Sequence, residues 1–276
     1  MGRVDNDVKR TAFIYILLVM TAGGCASGPP ELPYPAFIQV DELSDVFVAS
    51  LPGVRAKQLA GDAMTRRSSM RIDLPADWSG TSGGAPGRSL EIFVLQGVLT
   101  IADLELGPGG YAFLPSGSLG FNLSSPAGAR ILYFVNDVDP ESVIRSPIII
   151  ETGLLDWAAS GTIGRFVKEL RNDPGNGAMT WLLRIETDAA TAWESSSAAR
   201  EGYLVSGAYQ HSECVEGVVH TAQYLPGGYF FRPAGIVNGG PLSVATTESI
   251  WLLRRAAGGE TTTVSDCIAQ QAAPRQ

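Results

Sequence analysis

Few residues in this chain can do chemistry near neutral pH. There are two histidines, His211 and His220, and three cysteines, Cys25, Cys214 and Cys267. Both histidines lie near residue 215 and no G-x-S-x-G elbow is present, so a serine triad is not expected. The glycine runs "GTSGG" (80–84) and "GPGG" (107–110) are turns, and neither precedes a helix with a phosphate-binding lysine. The formal charge of −8, with no visible basic patch, argues against nucleic acid as a partner. What remains is a pair of glutamates, Glu91 and Glu201, which hold equal places in two similar stretches of chain.

Those stretches belong to an internal repeat. "PGGYAFLPSGSLGFN" (108–122) is echoed by "PGGYFFRPAGIVNGG" (226–240). "LEIFVLQGVLT" (90–100) is echoed by "REGYLVSGAYQ" (200–210), and "ARILYFVND" (129–137) by "ESIWLLRRA" (248–256). The order is preserved, with an offset of 110 at the glutamates and 118 at the Pro-Gly-Gly-Tyr turns. The second copy therefore carries eight extra residues around "HSECVEGVVHT". Each unit reads as short strands with alternating apolar positions, separated by Gly, Pro, Asn and Asp turns. Gly97 and Gly207 interrupt β-rich runs, where a glycine lets the chain bend or pass close to another backbone. Pro233 should end the strand "GGYFFR", because it has no N–H to donate. "GLLDWAASGTIGRF" (153–166) could hold a brief helical turn in the link. Apolar residues at 45%, charged residues at 17%, 32 glycines and 17 prolines suit a β-rich core joined by tight turns. The predicted architecture is all-β: two small barrels in tandem.

The motifs in these units resemble the cupin superfamily. "GTSGGAPGRSLEIFVLQG" (80–97) is similar to the second half of cupin motif 1, with Glu91 and Gly97 in place. "GYAFLPSGSLG" and "GYFFRPAGIVN" are similar to motif 2 in all but its histidine, which is replaced by Gly120 and Asn238. The resemblance covers roughly residues 55–137 and 165–256. It is nearest to uncharacterised double-cupin proteins and to the cupin halves of some anti-sigma factors. It implies two tandem cupin-type jelly-roll barrels, spanning 51–150 and 151–258, with 259–276 as a flexible tail. In the family three histidines and a glutamate hold a divalent metal, chemistry that suits neutral imidazoles around an open coordination position. The first copy has no histidine, so no metal is expected there. In the second, Glu201, His220 and Asn238 could converge as a weak oxygen-and-nitrogen set. Alternatively His220 lies on a loop surface and Asn238 bonds its own turn; this second reading is the expectation, with no metal and no cofactor.

For Glu91 and Glu201 the expectation is a structural ion pair with Arg88 or Arg200, or with Arg71 and Arg184 on a neighbouring strand. The alternative makes Glu201 a general base in a dry pocket. Trp181, Trp193, Tyr203, Tyr229, Phe230 and Phe231 are expected mainly in the core, with one or two at a barrel mouth able to stack on a ring. From motif position, a small polar ligand would meet Glu201, Arg184, His220, Arg232 and Asn238. The family also implies a homodimer paired through sheet edges.

The N-terminus carries an address. Arg3, Lys9 and Arg10 precede the apolar run "TAFIYILLVMTA", which ends in "GGC" at Cys25. Twelve residues are too few to span a bilayer, which needs roughly 20, but they fit the apolar core of an export signal. Small residues before a cysteine resemble the lipobox of bacterial lipoproteins, although Ala22 stands where leucine is commoner. Residues 1–25 then form a signal whose Cys25 is acylated, and 26–50 a Pro-rich tether and lead-in. Ala26 implies the outer membrane, on its periplasmic face. With Cys25 lipidated, Cys214 and Cys267 are an even pair in an oxidising compartment, and a bridge is expected rather than two free thiols. The functional expectation is a lipid-anchored envelope protein that binds a small ligand or acts structurally, without catalysis. The alternatives are a metal-independent isomerase, epimerase or lyase using Glu201 or His220, and a weak-metal enzyme in the second barrel.

Overall fold

The computed structural model describes residues 31–268, except 66, 84, 118, 119, 138 and 139. The lipobox and Cys25 lie outside the described residues. Among those described, the strands pair antiparallel, and the helical elements are two single 3-10 turns, Val40–Glu42 and Thr152–Leu154. Each repeat folds as a barrel of curled sheets. In the first, a seven-stranded sheet centred on Arg88–Gly97 and Ala129–Asp137 packs over a four-stranded sheet containing Trp78–Ser82 and Phe121–Ser125. Between them Ile72, Ile92, Val94, Leu99, Ile101 and Leu114 are wholly buried and fill the interior. Each such side chain removes roughly 1.5–3 kcal/mol worth of apolar surface from water. The first barrel is packed with apolar side chains, and the wholly buried Ser125 spends its hydroxyl on the Val98 carbonyl at 2.8 Å.

The second barrel is one eleven-stranded sheet that curls on itself. Its spine is the sixteen-residue strand Arg200–Val215. That strand pairs along its first part with Gly228–Arg232 and Val244–Arg255, and along its last part with Val218–Tyr224. The eight extra residues of the repeat fall in this last hairpin. Bulges between Leu204 and Tyr209 accompany the bend. Gly207 sits there at φ 85°, and a Cβ would lie 2.1 Å from the Glu248 carbonyl oxygen. Gly97 repeats the arrangement at φ 74°, 2.2 Å from the Gly128 carbonyl. Both are close backbone passages that only glycine permits. The Pro-Gly-Gly turns open the strands Gly110–Leu114 and Gly228–Arg232, and each strand stops at the following proline.

The lead-in segments are exchanged between barrels. Ile38–Gln39, which precedes the first barrel, pairs with Tyr229 and Gly228 of the second. Ile148–Glu151, which precedes the second, pairs with Gly110–Phe113 of the first. Each then makes a 3-10 turn. Tyr34, Ala36 and Phe37 are buried in the second barrel's aromatic cluster with Tyr224, Phe230 and Trp251. Residues 31–40 are therefore part of that barrel's wall, where the sequence suggests a tether. Likewise 259–268 is not a loose tail. Thr261–Thr263 adds a strand to Trp193–Ser196, and Cys214 and Cys267 form a disulfide with Cα atoms 5.5 Å apart.

Strand alternation joins the two barrels. Along Arg88–Gly97, Leu90, Ile92 and Val94 face the barrel interior while Phe93 joins a second cluster with Phe134, Leu182, Tyr203 and Leu252. That cluster draws on both barrels, so the strands at the junction are buried on both faces.

Candidate functional site

The same alternation decides where the glutamates go. Glu91 shares the face of Phe93 and enters the junction between the barrels, fully buried. It accepts hydrogen bonds from Tyr111 (2.8 Å), Thr180 (2.6 Å), Arg171 (3.0 Å) and Arg254 (2.8 Å). Arg254 also pairs with Glu201, and Tyr229 donates to Glu201 at 2.8 Å. Burial pushes the Glu91 carboxyl upwards, but the Arg171 and Arg254 charges outweigh it and hold the group below the usual carboxylate range. An ion pair is what the sequence suggests, but the partners differ. Arg88 pairs with Asp137, Arg71 with Asp41 and Arg200 with Glu194, while Arg184 stacks over Trp157 and Phe166. The glutamate oxygens are committed to locking one barrel against the other, which leaves Glu201 poorly placed as a base.

Inside the second barrel lies a cavity of about 60 Å³. It is built by consecutive inward positions of two strands. Tyr209 and His211 alternate along Arg200–Val215 and Arg232 ends Gly228–Arg232, while Glu213, the next alternate position, lies outside the lining and holds Arg232. Arg232 grips the buried Glu213 with Nε at 2.9 Å and Nη2 at 2.6 Å, and Nη2 also donates to His211 Nε2 at 3.0 Å. Tyr34 from the lead-in donates to Glu213 at 3.2 Å. Burial lowers His211 to about 4, opposed by Glu213, so the imidazole is neutral with its proton on Nδ1. For Glu213, burial is again outweighed by Arg232, and the carboxyl is lowered.

Opposite this group stand Arg165, Thr191, Glu194, Arg200 and Asn238, between the aromatic walls Trp181, Tyr209, Tyr224, Phe230 and Trp251. Arg200 is neutralised by Glu194 at 2.7 Å. Arg165 donates to Thr191, which shares a 2.7 Å hydrogen bond with Tyr209. Among the described residues no carboxylate lies within ion-pair distance of Arg165. His211 Nδ1 and Trp251 Nε1 are buried donors without an acceptor among the described residues. Such donors cost about 1–3 kcal/mol each unless water or a ligand accepts from them.

Of the five residues placed at a ligand site by motif position, the fold brings together Glu201, Arg232 and Asn238 around the cavity wall. Asn238 is buried and spends its amide on the Glu194 carbonyl of the facing strand at 3.2 Å and on the nearby Ile236 carbonyl at 3.4 Å. Arg184 is a correction: it sits outside the cavity on Trp157 and Phe166. His220 is another. It pairs with Glu213 across the extended hairpin, two residues beyond His211 on the facing strand, and is half-buried outside the cavity lining. His211, Glu213 and Arg165 escape the motif reading, although Tyr209-x-His211-x-Glu213 has the alternation that puts three polar groups on one side of a strand.

A cupin metal does not fit these residues. Among the described residues no three His, Cys, Asp or Glu converge as a ligand set. The first barrel has no histidine, and its Glu91 faces the arginines of the junction. In the second, His211 Nε2 and both Glu213 oxygens already serve the Arg232 guanidinium, whose charge would oppose a second cation there.

Known structures share this fold. Escherichia coli YlbA, a DUF861 protein, superposes with a TM-score of 0.66 at 16% identity, over 83% of this chain and 95% of that one. A mutant form of Bacillus subtilis oxalate decarboxylase superposes with a TM-score of 0.60 at 10% identity, over 86% and 81%. Curated proteins give no match. Residues 49–259 match the model of a family described as a domain of unknown function, DUF4437. With most of its length inside that match, the chain belongs to the DUF4437 family, and its fold of curled β-sheets is the cupin-type fold of those structures.

Proposed function

We propose that this protein is a bicupin with degenerate metal motifs whose second barrel binds a small carboxylate without a metal, and that it does so at the cell envelope as an exported lipoprotein anchored through Cys25. The observation that carries the binding reading is Arg165. Its guanidinium is the uncompensated charge of the cavity, beside Arg232–Glu213 and Arg200–Glu194 pairs that cancel. The spare N–H donors of His211 and Trp251 supply further contacts for carboxylate oxygens. A volume of about 60 Å³ is well under the roughly 150 Å³ of a benzene-holding cavity, which restricts the ligand to two or three carbons.

The address rests on the N-terminal pattern alone. Glu31 stands six residues after Cys25, a reach of roughly 20 Å, and residues 34–39 dock on the second barrel. An anchor at Cys25 would hold that barrel nearest the membrane.

The test is titration of tryptophan fluorescence, since Trp181 and Trp251 line the cavity, with acetate, oxalate and pyruvate, and benzoate as the oversized control. Saturable binding of a two- or three-carbon acid, weakened at least tenfold by Arg165→Gln, is expected. Equal affinity in the variant, or no binding by any of the small acids, would sink the reading.

A further inference from the structure

We infer a second binding site, for an organic anion with a bulky apolar body, in the cleft between the two barrels. This cleft holds about 590 Å³, within the few hundred to about a thousand typical of pockets for drug-sized molecules. It is roughly ten times the volume of the barrel cavity, and it does not depend on that cavity's being a site. Its apolar surface comes from both halves of the chain, with Phe113, Ile144 and Val135 on one side and Pro35 and Phe231 on the other.

Its polar surface has a charge preference. Six arginines line it against four carboxylates. Arg171 and Arg254 are neutralised by Glu91 and Glu201, and Arg200 by Glu194. Asp137 is taken by Arg88. Asp62 and Asp173 turn their oxygens to backbone N–H groups of Met64 and Thr65, and of Val143 and Gly175. That leaves Arg145 and Arg255 with no carboxylate in ion-pair range among the described residues, while Arg67 faces Asp62 across the strand pair and its charge helps to lower that carboxyl. Arg67 and Arg145 are exposed at the rim, while Arg255 donates only to the Gly177 carbonyl, with its Nε buried and unpartnered. Arg67, Arg145 and Arg255 outnumber Asp62 and Asp173, which stay anionic on their N–H donors, so the cleft carries a positive excess in a chain of net charge −8. Arginine in a half-apolar cleft favours planar anions on an aromatic or fatty body, because the guanidinium is weakly hydrated and bonds carboxylate or sulfonate in a fork.

The probe is anilinonaphthalene sulfonate, an anionic dye with an aromatic body, titrated at low salt into protein shown to be folded by near-ultraviolet circular dichroism. One saturable site is expected, weakened at least tenfold by Arg145→Glu and by Arg255→Glu. Arg165→Gln, in the barrel cavity, and Arg55→Glu, an exposed residue outside both spaces, should leave it unchanged. Arg145 is exposed and makes no ion pair among the described residues, so its variant should fold. The inference is overturned if no saturable site appears, if the cleft variants bind as wild type does, or if Arg55→Glu weakens binding equally, which would reduce the effect to net charge.

Discussion

Replacing Glu91 by alanine should cost about 3–5 kcal/mol of folding stability, more than any surface change in this chain. The carboxylate is wholly buried and pairs with two guanidinium groups from the other barrel, Arg171 and Arg254, sharing the second with Glu201. Its removal strands the Arg171 charge and the Tyr111 and Thr180 hydroxyls in the junction, and leaves Glu201 as the remaining carboxylate on Arg254. The destabilisation comes from that uncompensated charge more than from the pair's net value. Replacing Glu91 together with two partners it would strand, Glu91→Leu with Arg171→Leu and Tyr111→Phe, while Arg254 keeps its pair with Glu201, should therefore recover most of the loss. Urea unfolding of the single and triple variants measures this. A single variant within about 1 kcal/mol of wild type would show that the network does not lock the barrels.

The same carboxylate predicts an acid limb. Burial raises Glu91, the two arginines lower it further, and the folded group ends below its unfolded value near 4.5. Between those values the unfolded chain binds the proton that the folded protein refuses. The contribution of Glu91 is thus complete above its unfolded value near 4.5 and is lost as pH falls towards the folded value. Glu91→Gln should flatten that limb of a stability-against-pH curve, while Asp45→Asn, at an exposed pair, should not.

Breaking the Cys214–Cys267 bridge should cost about 4 kcal/mol, from the entropy returned to an unfolded chain in which a 53-residue loop is no longer closed. For a body of this size that corresponds to a fall in Tm on the order of 10 °C. Both cysteines are buried, packed with Val237 beside Trp193 and Val264. The effect should reach the cavity as well. The bridge holds the end of the chain whose strand Thr261–Thr263 pairs with Trp193–Ser196, and Thr261 accepts from Arg200. Cys267→Ser and reduced wild type should melt together, well below the oxidised protein. Equal melting of the oxidised and reduced forms would contradict the prediction.

How much of this is legible from residues differs by element. The Pro-Gly-Gly-Tyr turns and the strand glycines carry their geometry locally, so the paired barrels and the close passages at Gly97 and Gly207 can be read. The exchange of Ile38–Gln39 and Ile148–Glu151 cannot. These segments are two and four residues long, and Ile38 finds its partner 191 residues away (229 − 38). The direction of Glu91 is hidden for another reason. "LEIFVL" is buried on both faces, so no polar alternation marks which side meets the barrel interior. For the cavity, motif position points to Arg232 and Asn238 but also to His220, because the hairpin's added length displaces that residue along the strand. His211 and Glu213 are reachable by strand parity alone. Arg165 is not, since its significance lies in lacking a carboxylate neighbour, a property of the assembled barrel.

A cupin-type scaffold that holds its ligand with arginine and aromatic groups in place of a metal should keep its affinity when metals are stripped away. The decisive measurement is elemental analysis of the body after Cys25, purified without chelator or a histidine tag, followed by carboxylate titration before and after chelation. Well below one equivalent of Fe, Mn, Ni, Co or Zn is expected, with carboxylate binding that chelation leaves unchanged. A near-stoichiometric metal that is lost on His211→Ala or Glu213→Gln, with carboxylate binding lost alongside it, would contradict the metal-free reading.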